Sequence, residues 1–310
     1  PDLASMSPGQ TKYPIRSLLE KRAQFFERVR SFFSSKRVLE VDTPVLVSFP
    51  PNDANIQIMK VLTSLGDRYL TSSPEYLMKR LLSQGSGDIF QLSHVYRDEE
   101  SGKNHSPFFM MLEWYRLSFS IDQLENEVLE LIQEVGIERN IHRKSYRDRF
   151  KEATGLDPLH VEESQLQALL KNRMHQPENL SFEELIDAAF VLFVEPKMKK
   201  DIHVISTFLP HQAALAKIRG DDALRFEIYV DGVEIANGYE ELNDPVEIQK
   251  RFDLWNRDHK TPLNVDPRFL DALPSLPPAS GVALGADRLF MLQQKKESIS
   301  SILPFDFSAS

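Results

Sequence analysis

Apolar residues along the chain follow two periods, and the switches between them mark out the elements. Leu18, Leu19, Ala23, Phe26, Val29 and Phe33 continue from Ile15 at helical spacing, which predicts one long amphipathic helix over about 15–35. VLEVDTPVLV, residues 38–47, is β-rich, but Pro44 restricts it to an edge or bulged strand. After a polar loop in the 50s, Tyr69 to Ser72 read as a short strand. Ser73-Pro74-Glu75 then opens a helix, with proline in the first turn and a carboxylate where the helix dipole favours one. Ile89 to Arg97 and Phe109 to Leu117 read as paired strands joined by a polar turn. Period two puts Arg97 and Glu99 on one face of the outgoing strand and Phe109, Glu113 and Tyr115 on one face of the return strand. Met110, Leu112 and Trp114 take the opposite, apolar face. Ser120 and Gln123 form a capping box for a helix carrying Ile121, Leu124, Val128, Leu131 and Val135.

Between about 140 and 220 the pattern is helical around 164–171 and 181–194, with Ser181 and Glu184 as another capping box. No reactive cluster stands out there, so this stretch is expected to be a helical insertion. Leu224, Phe226, Ile228 and Val230 alternate with polar residues, and Asp231-Gly232 predicts a type I′ hairpin into Val233–Tyr239. Residues 262–278 read as proline-rich loop, and Gly281 to Gly285 lead into a helix over about 286–296.

Composition narrows the possibilities. A chain of 310 residues, 41% hydrophobic, can bury a sizeable core. With 46 acidic against 37 basic residues, the net charge of −9 does not favour a protein that binds mainly through nucleic-acid phosphates. The absence of cysteine excludes disulfides, thiolate metal sites and cysteine nucleophiles. The eight histidines lack metal-ligand spacing. No apolar run approaches membrane-spanning length and the N-terminal stretch has no signal-like apolar core, so a soluble cytoplasmic protein is expected.

Three stretches carry chemistry. In VYRDEESGKNHSPFFMMLEWYR, 95–116, a cation, two carboxylates and two aromatic rings converge on one sheet surface. That set suits a phosphate, a flat base and an ammonium, and the Arg97 guanidinium offers a donor fork matched to phosphate oxygens. Glu234 and Glu241 flank Asn237 and Gly238; they are either magnesium ligands or a polar strand face, with Gly238 able to bend the strand. In SGVALGADRLFML, 280–292, Arg288 falls in the first turn of a helix, where the dipole does not favour a cation. An anionic or aromatic partner is expected beside it, although the glycines alone require only a tight strand-to-helix junction. His105 by itself reads as a solvated turn residue.

Together these pieces resemble the signature motifs of the class II aminoacyl-tRNA synthetases: the long helix with VLEVDTP as motif 1, VYRDEE…HSPFFMMLEWYR as motif 2 and GVALGADRLFML as motif 3. TSSPEYLMKRLL at 71–82 and VEIANGYEEL at 233–242 are similar to the lysyl branch, and the resemblance spans about 15–305. It implies an α+β fold, an antiparallel sheet flanked by helices, in one catalytic domain over 15–310 that pairs through motif 1 as a homodimer. Only about 14 residues precede the motif 1 helix; they are expected to be a tail, with no anticodon-reading OB domain. That form resembles the EpmA/PoxA/GenX family of lysyltransferases, which activates (R)-β-lysine as an adenylate and transfers it to a lysine side chain of elongation factor P.

The resemblance also implies roles. ATP would bend over the sheet with Arg97 on its α-phosphate. Asp98, Glu99, His105, Ser106, Ile235 and Gly285 would border the nucleotide, and Phe109 and Arg288 would sandwich adenine. Mg2+ would be held by Glu234 and Glu241. Ser73, Pro74 and Glu75 would meet the amino group near the substrate carboxylate, and Glu113 and Tyr115 the distal ammonium. Asn237, Glu241 and Ala283 would complete that pocket. Ala283 stands where lysyl-tRNA synthetases have glycine, so its methyl is expected to shift preference between lysine isomers. The turn His105-Ser106-Pro107-Phe108-Phe109 departs from the family's His-Asn-Pro-Glu-Phe at Ser106 and Phe108. The alternatives are a synthetase fragment charging tRNA and a non-catalytic regulator.

Overall fold

Four aromatic or branched side chains on one stripe decide how the first helix sits. In the computed structural model, which describes residues 15–51, 56–64, 66–98, 102–258 and 263–305, α1 spans Ile15–Ser35 and buries Phe25, Val29, Phe32 and Phe33. The buried stripe is rotated slightly from the expected one: Phe25 is fully enclosed, whereas Leu18 and Phe26 only lean on the core and Ile15 and Leu19 stay exposed. Phe33 stacks on Phe90 at 4.5 Å between ring centroids and meets Trp114 edge-on at 5.2 Å. The helix is thereby fixed to the apolar face of the sheet. The expected N-terminal tail, 1–14, lies outside the described residues.

The Pro44 stretch is two short strands, β1 (Leu39–Glu40) and β2 (Leu46–Val47), which belong to different sheets. β2 joins β3 (Lys60–Thr63) and β4 (Gly66–Leu70) in a small three-stranded sheet. α2 (Glu75–Ser83) follows, then β5 (Ile89–Tyr96), β6 (Phe108–Leu117) and α3 (Ile121–Glu134). The Ser120–Gln123 capping box forms as expected.

The 140–220 region is not purely helical. β7 (Ile141–Ser145) and β8 (Ile202–Phe208) bracket α4 (Tyr146–Thr154), α5 (Glu163–Leu170) and α6 (Phe182–Ala189), and both strands extend the main sheet. The helices build a second core in which Tyr146 stacks on Phe190 at 4.3 Å. β9 (Ile218–Arg219) pairs with β10 (Asp222–Val230), which turns into β11 (Val233–Glu240). Asp231 and Gly232 have φ of 49° and 83°, the two positive values that a type I′ turn requires. Gly238 does not bend its strand; a Cβ there would stand 2.5 Å from the ring of Phe226, its cross-strand partner.

Two helices follow that the sequence reading left out: α7 (Pro245–Asp258) and α8 (Pro267–Ala272). α8 lies inside the expected proline-rich loop. Pro267 occupies its first turn and the Asp266 carboxylate accepts the Arg268 N–H at 3.0 Å, so proline starts the helix here. β12 (Ala279–Gly285) and α9 (Ala286–Gln293) complete the chain.

The main sheet runs β1-β5-β6-β12-β11-β10-β8-β7, with β9 alongside β10. β1 is parallel to β5 and β7 to β8; the other pairings are antiparallel. The α+β architecture is therefore the expected one. Helices α1, α3 and α9 pack on one face of the sheet, leaving the centre of the other face available. No helix among the described residues is long and apolar enough to cross a membrane.

Phe33→Ala removes the ring that joins α1 to Phe90 and Trp114. It is expected to lower stability by about 3–5 kcal/mol, read as a reduced urea midpoint with little change in the denaturant slope. A loss below about 1 kcal/mol would show that the helix docks by other contacts.

Candidate active site

Strand register assembles the site. β12 lies between β6 and β11, so side chains level on the three strands stand in rows. One row is Glu113, Ala283 and Asn237; the next is Tyr115, Gly281 and Tyr239. On β6 the period-two face Phe109, Met111, Glu113, Tyr115 lines a cleft of about 330 Å³, while Leu112 and Trp114 are buried on the opposite face. Gly281 makes the floor possible: a Cβ on it would lie 2.3 Å from the Tyr115 ring and 2.4 Å from Glu241 Oε1.

One end of the cleft is cationic. Arg97 follows β5 and its guanidinium sits 5.2 Å from the centroid of the Phe109 ring. Arg288, in the first turn of α9, donates from Nε to the Asn104 carbonyl at 3.1 Å and from Nη1 to the Glu234 carbonyl at 3.0 Å. The motif 2 turn, β11 and α9 are thus joined at one side chain. Arg225 on β10 donates to the Gln212 carbonyl at 2.7 Å, to Asn237 Oδ1 at 3.1 Å and to the Glu227 carboxylate. Burial and the charge of Glu227 push the Glu234 carboxyl well above its ordinary value, against the pull of Arg288, Arg225 and Arg97.

The other end is a nest of carboxylates. Glu113, 2% exposed, accepts from Tyr115 Oη at 2.6 Å and from Ser73 Oγ at 2.8 Å. Ser73 Oγ in turn accepts the Glu75 N–H at 3.0 Å, which ties the start of α2 to β6. Burial, then the charge of Glu75, push the Glu113 carboxyl up to about 8. Lys79, one turn along α2, is buried, with Nζ 2.6 Å from both Glu75 Oε1 and Glu241 Oε2. Burial raises Glu241 too, and Lys79 works against that rise. Burial would strip the proton from Lys79, but the charges of Glu241 and Glu75 outweigh it and raise its basicity.

The cleft gathers Ser73, Glu75, Arg97, Phe109, Glu113, Tyr115, Glu234, Ile235, Asn237, Glu241, Ala283, Gly285 and Arg288 in its lining. Four expected contacts stand outside it. Asp98 is exposed, with its backbone N–H bonded to the Gln57 carbonyl. His105 is exposed in a turn whose backbone pairs with Gly102, and Ser106 is buried away from the cleft. Pro74 caps α2, its carbonyl taken by the Leu77 and Met78 N–H groups. Glu99 lies outside the described residues. Ser73, expected at the proximal amino group, lines the cleft and donates to Glu113. Glu241 is turned to Lys79, and the carboxylate whose charge acts on Glu234 is Glu227. Glu234 and Glu241, the expected metal pair, both line the cleft, as does Glu227, which is held by Arg225 and by the Tyr229 hydroxyl at 3.0 Å.

Lys79, Arg225, Glu227 and Gly281 were not singled out from sequence. Arg225, Glu227 and Tyr229 recur at period two along a strand that could have been read as one polar face. Glu75 and Lys79 are spaced i,i+4, which on sequence grounds reads as a surface pair.

Comparison with known proteins agrees with this geometry. Residues 11–308 match the family model of class II tRNA synthetases (D, K and N). The chain is 40% identical to elongation factor P–(R)-β-lysine ligase of Haemophilus influenzae (strain PittGG), over 98% of each chain. It is 41% identical to the protein of that name from Avibacterium paragallinarum, over 94% of this chain and 95% of the other, and 38% identical to that of Erwinia tasmaniensis, over 98% of each.

Without ligand, the folded protein keeps a proton on Glu113 between the ordinary value of 4.5 and about 8, where the unfolded chain has released it. The native state then binds more protons, so stability falls as pH rises through that window. The upward shifts of Glu234 and Glu241 act in the same direction. The urea midpoint is expected to decrease from about pH 5 to about pH 8, and Glu113→Gln to flatten the decline. A midpoint that climbs over this range would contradict the buried protonated carboxyl.

Proposed function

The chain belongs to the class II tRNA synthetases of the D, K and N type, and on that premise we propose that it uses ATP to activate (R)-β-lysine as an adenylate and transfers it to a lysine side chain of elongation factor P. The observation that carries this reading is the polarity of the cleft. Arginines 97, 225 and 288 line one end, and Glu75, Glu113 and Glu241 the other. A diamino acid fits one way, with its carboxylate toward the arginines and its ammoniums among the carboxylates. The names of the near full-length relatives supply the acceptor and the isomer.

In the first half-reaction the substrate carboxylate attacks the α-phosphorus of ATP, and the bond to pyrophosphate breaks. Arg97 is placed to bind the α-phosphate and stabilise charge developing on it, and Phe109 and Arg288 to enclose the adenine. In the second, the uncharged amine of the acceptor lysine attacks the acyl carbonyl. AMP leaves, the amine loses a proton, and an amide forms. Enclosure of the adenylate beside the acceptor supplies much of the rate for that step.

The donor set fits Mg2+. Glu234 would hold the ion together with a second carboxylate of the same lining, Glu241 or Glu227, since magnesium commonly takes one or two carboxylates together with substrate phosphates. When bound it offsets phosphate charge and favours pyrophosphate departure. Exposed Ile15, Leu19, Leu39, Val45, Leu46 and Leu62 support pairing of two copies through α1 and the short strands, in a cytoplasmic homodimer.

The test is incubation with ATP, magnesium and either lysine isomer, followed by elongation factor P or tRNA. A mass gain on the factor, larger with (R)-β-lysine, is expected; charging of tRNA alone would overturn the reading. Ala283 stands between Glu113 and Asn237 on the neighbouring strands, so its methyl enters the lysine end of the cleft. Ala283→Gly is expected to move the ratio of kcat/KM values toward α-lysine by about tenfold or more, the usual worth of one methyl in a pocket. An unchanged ratio would remove Ala283 from isomer selection.

A further inference from the structure

We infer that Lys79 is a positioning residue for the amino-acid substrate: a built-in ammonium that holds Glu75 and Glu241 in place and sets the charge of the lysine end of the cleft. The inference rests on the diamino-acid reading above and names a residue which that reading does not use.

Lysine is almost never fully buried unless paired, and Lys79 is 1% exposed. Its two carboxylate partners come from separate parts of the fold. Glu75 is four residues back on α2, and Glu241 lies just past the end of β11, 166 residues further along the chain. Both distances to Nζ are 2.6 Å, so one ammonium spans from helix to sheet. A contact that only anchored α2 would not need two carboxylates that both line the cleft, as these do.

Nζ takes one oxygen of each carboxylate and leaves the second available. Glu241 Oε1 lies over Gly281 and beside the Tyr115 ring, on the cleft floor. Lys79 thus aims the remaining oxygens while standing behind them. It also fixes a charge count. Glu75, Glu113 and Glu241 carry three negative charges when ionised, and Lys79 cancels one. The two that remain match the two ammoniums of lysine or β-lysine. Without Lys79, three carboxylates would face each other in a buried site, and Glu75 and Glu241 would lose the contact that orients them.

The test is amino-acid-dependent exchange of pyrophosphate into ATP, measured for wild type, Lys79→Met, Glu241→Gln and the double variant Lys79→Met/Glu241→Gln. Lys79→Met is expected to raise KM for the preferred lysine isomer by about tenfold or more, with KM for ATP within about twofold of wild type. Because Lys79 acts in part through Glu241 and in part through Glu75, the double variant is expected to lose less than the product of the two single losses. The double variant deletes both members of the Lys79–Glu241 pair and leaves no unmatched charge from it. If Lys79→Met alone does not fold, the double variant is expected to show a higher KM for lysine than Glu241→Gln, through loss of the Glu75 contact, with KM for ATP within about twofold; equal KM values for lysine would overturn the inference. Multiplying losses, a parallel rise in KM for ATP, or a wild-type KM for lysine in Lys79→Met would each overturn the inference. A wild-type protein that activates neither isomer would overturn the proposed function itself, and this inference with it.

Discussion

The Asp287 carboxylate holds the three distant parts of the cleft in one frame. It is 1% exposed, accepts the Met110 N–H at 2.8 Å and is ion-paired with Arg22. Met110 follows Phe109, and Asp287 precedes Arg288. One buried carboxylate therefore ties β6 next to Phe109 to the start of α9 next to Arg288, and anchors both to α1. Arg22 is itself placed by rings: its guanidinium lies 4.8 Å from the centroid of Phe26 and 5.9 Å from that of Phe290. A buried charge survives only with full compensation, and here compensation comes from a backbone donor and a cation on separate elements.

Local chemistry was the part of the fold open to sequence reading. The alternation from Phe109 to Tyr115, the Asp231-Gly232 turn and the Ser120 and Ser181 capping boxes each depend on residues close in sequence, and each forms as read. The errors arose where partners lie far apart. β7 and β8 gain strand pairing only by lying side by side across the 56 residues between them, which local propensity cannot register. The prolines of 262–278 signalled loop, yet Pro267 starts α8, and Phe269 on that helix stacks on Tyr76 of α2 at 4.2 Å.

The candidate site divides in the same way. Strand parity placed Phe109, Glu113 and Tyr115 on the cleft without any knowledge of the rest of the chain. The contacts of Glu234 and Glu241 were not legible, because their partners come from other elements. Lys79 on α2 takes Glu241, and the β10–β11 hairpin brings Glu227 near Glu234. Lys79 escaped notice for a related reason. Charge at i,i+4 is ordinary on an exposed helix, and only the packing of α2 against the sheet turns that pair inward. Gly281 is legible only once Tyr115 and Glu241 are known to cross above it.

Burial gives the cleft its selectivity as well as its shape. Carboxylates withdrawn from water resist ionisation, as the upward shift of Glu113 shows, and regain a favourable charged state when a cation arrives. Lys79 supplies one such cation permanently to Glu75 and Glu241, whereas Glu113 is met only by the neutral hydroxyls of Ser73 and Tyr115. On the proposed reading an incoming ammonium would gain most at Glu113, on which Lys79 acts only through its charge and not by contact. A neutral side chain of similar length would leave that carboxyl protonated and gain nothing there, so the proposed recognition of the distal amine would follow from what the fold withholds from Glu113. The same logic runs with opposite sign at the arginine end, where the converging guanidiniums favour phosphate and carboxylate. On that reading the charge gradient along the cleft would orient the amino acid.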